Sequence, residues 1–75
     1  MLTKLKLARL ERGLSQLELG IKAEVPPYKV SLSERRLTIL DDGEKERIAK
    51  VLGKKVEWLF ADEPEELPFG GIGKG

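Results

Sequence analysis

Helix-starting and helix-stopping residues alternate so closely along this chain that no helix in it can run long. Gly13 stops a first helical pattern, Pro26-Pro27 breaks a second, and Gly53 stops a later one. Gly just past a helix end accepts the left-handed conformation, and Pro lacks the N–H that a helix interior needs. Starting signals lie between these breaks. Thr3 is a candidate N-cap for a helix over residues 3–12. Ser15-Gln16-Leu17-Glu18 has the spacing of a capping box, so a second helix is expected from Gln16 to Ala23. Pro suits a first helical turn, which places a third helix from Pro27 to Arg35, anchored by Val30. Asp41 with Glu44 opens a fourth, to Leu52, with acids where the helix dipole favours them. Val56 to Phe60 is long enough for a short fifth. Apolar residues follow the helical period: Leu2, Leu5 and Ala8 make one stripe, and Ile48, Ala49 and Leu52 another. No alternating strand pattern and no internal repeat occur. The expected fold is all-α, a compact bundle of about five short helices.

Seventy-five residues allow one domain. Cys and His are both absent, so disulfides and the usual zinc ligand sets are excluded, and no metal or cofactor is expected. An enzyme is not expected either: no nucleophile–base set is available, and the clustered acids fall at a helix start and near the end of the chain. The final Gly-Gly-Ile-Gly-Lys-Gly follows no strand and opens no helix, so it is no phosphate loop. No apolar run reaches membrane-spanning length and no signal-peptide pattern leads the chain, so a cytoplasmic protein is the expectation. The net charge of +1 conceals an asymmetry. Residues 1–60 carry 13 basic against 9 acidic residues, a balance of +4, while residues 61–75 carry 1 against 4, a balance of −3. The reading is a mildly basic domain over residues 1–61 and an acidic, Gly-rich, flexible tail over 62–75.

Two short helices joined by a tight turn need a small residue where they cross and apolar residues to pin them. Gly20 meets the first need; Leu19, Ala23, Val25 and Val30 meet the second. The segment from Arg9 through Gly13-Leu14-Ser15-Gln16 to Leu19-Gly20 resembles the opening of the lambda-repressor/Cro-like (XRE-type) helix-turn-helix family. The similarity continues through Val30-Ser31, Glu34-Arg35, Ile48-Ala49, Leu52-Gly53 and Glu57-Trp58-Leu59-Phe60, spanning residues 2–60. Two places depart from the family pattern. Glu24 stands in the turn where Gly is usual, and Ser33 and Arg36 flank Glu34-Arg35 where an apolar residue and Gly are usual.

The resemblance implies a lambda-repressor-like fold and a sequence-specific, duplex-DNA-binding transcriptional regulator, a repressor. It would read a palindromic operator in the major groove as a homodimer. On this reading Gln16 clamps a phosphate at the start of the second helix. Pro27, Tyr28, Lys29, Ser31 and Leu32 lie on the first turns of the recognition helix. Lys29 is a candidate for a guanine acceptor or a phosphate; Tyr28 and Leu32 are candidates for thymine methyl groups. Packing against the turn or the fourth helix is the alternative for Tyr28 and Leu32. Arg36, with Arg35, is a candidate phosphate contact at the helix end. Arg9 and Glu34 are expected to form a structural ion pair, since an Arg fork can grip a carboxylate with two bonds. Lys4, Lys6, Lys54 and Lys55 read as solvated charges. Leu7, Leu10, Leu17 and Ile21 exceed what a minimal core needs. Either Trp58–Phe60 and Leu67–Ile72 cover them, or they form a dimer surface. The alternative function is a protein-binding antitoxin or adaptor module of the same fold, using its tail or its apolar face.

Overall fold

A computed structural model of the chain describes residues 2–66. Among these the chain forms five helices and no strand: α1 (Lys4–Glu11), α2 (Gln16–Ala23), α3 (Pro27–Glu34), α4 (Asp42–Leu52) and α5 (Val56–Leu59). Each helix begins where the sequence signals place it. Thr3 Oγ1 accepts from the Lys6 N–H at 3.3 Å. Ser15 and Glu18 close a reciprocal capping box at α2, and Asp41 and Glu44 close another at α4. Pro26 and Pro27 open α3 without any side-chain cap. No helix among the described residues is long and apolar enough to cross a membrane.

The first four helices end alike. In each, one residue turns left-handed and the amide after it reaches back five residues. Leu14 N–H bonds Arg9 O at 3.2 Å, Val25 N–H bonds Gly20 O at 2.9 Å, Leu37 N–H bonds Leu32 O at 2.9 Å, and Lys54 N–H bonds Ala49 O at 3.1 Å. This is the Schellman arrangement, which satisfies carbonyls that the helix leaves unpaired. Gly occupies the left-handed position after α1 and α4 (Gly13 and Gly53, both φ 68°). After α2 and α3 that position falls to Glu24 (φ 57°) and Arg36 (φ 60°). The backbone keeps the turn and accepts a side chain in a region that disfavours it.

Leu5, Ala8, Leu19, Ala23, Val25, Val30, Leu40, Ile48, Ala49, Leu52, Leu59 and Phe60 make one core, drawn from all five helices, the short α2–α3 turn (Val25), the α3–α4 connection (Leu40) and the residue after α5 (Phe60). Leu2, expected on the buried stripe of α1, is exposed instead; it precedes the helix and has no turn beneath it to pack on. Three residues, Glu24 to Pro26, separate α2 from α3. The crossing is close because Gly20 has no side chain. A Cβ there would lie 2.6 Å from the Val25 carbonyl oxygen and 3.2 Å from Pro27 Cα.

Arginines fasten the helix ends from outside. Arg47 on α4 donates from Nε to Ala23 O at 2.8 Å and from Nη2 to Glu24 O at 3.2 Å. Arg12 donates from Nε to Leu52 O at 3.2 Å. Both place a cation at a helix C-terminus, where the dipole favours it. Past residue 61 the chain still contacts the folded part: Asp62 pairs with Arg36. The Glu63 carboxylate accepts from Leu40 N–H at 3.3 Å and pairs with Lys45. The remaining tail residues, from 67 onward, lie outside the described residues.

Candidate nucleic-acid interface

One buried carboxylate ties three helices together. Glu34, near the end of α3, accepts from Arg9 Nε at 2.5 Å and Arg9 Nη2 at 3.1 Å. The third Arg9 arm, Nη1, donates to Leu14 O at 2.7 Å. The two side chains are only 8% and 2% exposed. Gln16 Nε2 also donates to Glu34 Oε1, at 3.0 Å. The start of α2 is thereby locked to the end of α3, and both to α1. The amide expected to clamp a phosphate therefore already has an acceptor. Ser33, beside Glu34, is buried, and its hydroxyl has no hydrogen-bond partner among the described residues.

Helix α3 buries Val30, Ser33 and Glu34 and turns Pro27 and Tyr28 outward. The Tyr28 side chain is 64% exposed, so it does not pack into the turn. Ser31 and Leu32 are half-buried at the edge of the same face. Arg35 is exposed and lies along its own helix, with Nε 3.4 Å from Ser31 O.

Besides Gln16, two more of the expected contact residues are tied to this chain. Lys29 Nζ donates to Glu44 Oε2 at 3.0 Å, while the other Glu44 oxygen accepts Asp41 N–H at 3.1 Å. One carboxylate thus caps α4 and holds α3. Chiefly by accepting this hydrogen bond, it raises the Lys29 pKa above the ordinary lysine value, outweighing partial desolvation. Arg36 donates to Ser33 O at 2.9 Å and Leu59 O at 3.4 Å and pairs with the Asp62 carboxylate. The sequence carried no sign of either pairing, since each joins charges far apart in the chain. Lys22, in the last turn of α2, is a further exposed cation that the sequence reading did not single out.

The exposed apolar residues are less evenly placed. Leu10 on α1 and Leu17 and Ile21 on α2 stand in solvent, the last two 58% and 67% exposed, and Leu7 is marginally exposed. The α5 segment does not cover them. Phe60 is buried in the core, and the Trp58 ring lies between Lys4 and Lys54, each ammonium 5.4 Å from its centroid. Those two lysines are thus engaged with an aromatic face rather than simply solvated. The other part of the expected cover, Leu67–Ile72, lies outside the described residues.

Compared with models of protein families, with curated proteins and with solved structures, the chain finds no match in any of the three.

Proposed function

We propose that this chain binds duplex DNA as a helix-turn-helix transcriptional regulator, with α2 and α3 as the motif and α3 as the helix that enters the major groove. The observation that carries this reading is the posture of α3. Gly20 lets it cross closely over α2, the Arg9–Glu34–Gln16 network fixes its far end, and its opposite side presents Pro27 and Tyr28 to solvent. A helix raised and braced in this way is what major-groove entry requires.

The contact set is adjusted by the ion pairs. Lys29 acts as a brace to α4 and not as a guanine reader. Tyr28, Ser31 and Leu32 then read mainly thymine methyl groups and groove shape, and Arg35 with Lys22 and the α2 start supplies phosphate contacts. A surface with so few free cations predicts a shallow salt dependence. Log affinity should fall with log salt at a slope of about −2 to −4, corresponding to two to four phosphates. Selection from a random duplex pool, followed by salt titration on an enriched site, tests this. Arg35→Ala should flatten the slope by about one, whereas Tyr28→Ala should change the selected sequence and leave the slope alone. Absence of binding at low salt would reject the reading.

A second reading, a protein-binding module of antitoxin or adaptor type, is favoured by one observation: Leu17, Ile21 and Tyr28 expose large apolar side chains on the same helix pair. A partner held by such a surface would bind with little salt dependence, which separates the two classes.

A further inference from the structure

The segment after α5 is acidic, and its first two carboxylates are fixed by the fold. Leu59 and Phe60 are buried, which sets where the chain emerges, and Glu63 N–H turns back onto Phe60 O at 3.0 Å. Glu63 is clasped by Lys45 and the Leu40 amide. Asp62 is thereby delivered to Arg36 at the C-terminal end of α3. Two backbone carbonyls, of Ser33 and Leu59, hold the Arg36 guanidinium from within. Asp62 is the remaining acceptor, and at 54% exposed it lies on the solvent side. Glu65 and Glu66 follow, both exposed. The Arg36 side chain is itself only 15% exposed, so the Asp62 carboxylate stands on its remaining solvent-side approach, where a phosphate oxygen would have to sit; charge-assisted bonds of the two kinds are alike in geometry.

We infer that Asp62 is an internal competitor of duplex phosphates for Arg36, so that the acidic segment after α5 restrains DNA binding from within the chain. The inference rests on the proposed DNA-binding function. With Asp62 in place, Arg36 contributes no counterion release. With it displaced, the same arm gains a phosphate, and the end of α3 loses a nearby negative charge that repels the backbone. The contact requires no movement of the helices, because the carbonyls keep Arg36 in position whichever anion it faces.

The test compares binding of a random-sequence duplex, and of duplexes enriched from that pool, across a salt series. Asp62→Asn should bind about three- to tenfold tighter at low salt and steepen the salt slope by about one. Glu65→Gln changes net charge equally at an exposed position, and should tighten binding less than about twofold with no change in slope. The double variant Asp62→Asn/Arg36→Gln should bind no tighter than Arg36→Gln alone, because the two residues act through one contact. Thermal midpoints confirm that each variant is folded. If Asp62→Asn and Glu65→Gln behave alike, or if the Asp62→Asn gain persists without Arg36, the competition is refuted while DNA binding stands. If the wild type and every variant fail to bind any duplex, the DNA-binding reading and the inference fall together.

Discussion

Glu24 and Arg36 occupy the same left-handed position at the ends of α2 and α3, yet substitution should act on them in opposite directions. The Glu24 side chain makes no hydrogen bond among the described residues; its backbone N–H closes α2 on Gly20 and Ile21, and its carbonyl accepts from Arg47. Glu24→Gly removes the Cβ strain, keeps that carbonyl, and should raise stability by about 0.5–1 kcal/mol after the extra backbone entropy of Gly is counted. Arg36→Gly relieves the same strain but loses three acceptor contacts, so chemical denaturation should find it neutral or destabilising. Arg9 lies at the other extreme. Arg9→Ala leaves the Glu34 carboxylate buried with only the Gln16 amide, and removal of one partner from such a pair costs about 3–5 kcal/mol. For a domain of this size the unfolding midpoint should fall by well over ten degrees, on the order of 4–8 °C per kcal/mol. A small shift would mean that the pair is not buried in solution.

Between elements, the α2–α3 crossing and the α3–α4 brace decide how the reading helix is held. Gly20→Ala forces a Cβ against the Val25 carbonyl and Pro27, and neither backbone atom can swing aside. A cost of about 1–3 kcal/mol is expected, with α3 displaced, so DNA affinity should fall more than the loss of folded protein explains. The Lys29–Glu44 brace has a pH signature. Lys29 is bound more tightly as a cation when folded, so its pKa is raised above the ordinary 10.5. Its stabilising contribution is therefore complete below pH 10.5 and is lost as pH rises through the folded value. Lys29→Met should unfold at a lower temperature than wild type at neutral pH, and the two midpoints should converge above that value. A constant difference would show that Lys29 acts through packing. Opposite behaviour belongs to Glu18. Hydrogen bonds from the Ser15 backbone and side chain lower its pKa below 4.5, so its capping contribution is lost as pH falls from there.

At the scale of the whole molecule, the boundary of the folded unit is the testable quantity. Ending the chain at Ala61 removes Asp62 and Glu63, leaving Lys45 and the Leu40 amide without their acceptor. Such a chain should be less stable than the full one by about 1–2 kcal/mol, and an equal midpoint would show that these contacts add nothing to the stability of the fold.

The helices themselves were legible from the sequence because their signals are local. A cap and its partner lie three residues apart, and a proline breaks the helix at the place where it stands. The small Gly20 was legible for another reason, that two helices crossing closely need a residue without a side chain where they touch; the Arg9–Glu34 pair was expected only from a resemblance and not from any local signal. What the chain alone could not indicate is which cations are free. Lys29 finds Glu44 across 15 residues and Arg36 finds Asp62 across 26. All four are charged residues that, in isolation, are equally suited to solvent. Only the tertiary fold, with α3 packed on α2 and α2 on α4, brings them within hydrogen-bond reach, because pairing of distant charges depends on where the backbone has been folded to, and no local propensity encodes that.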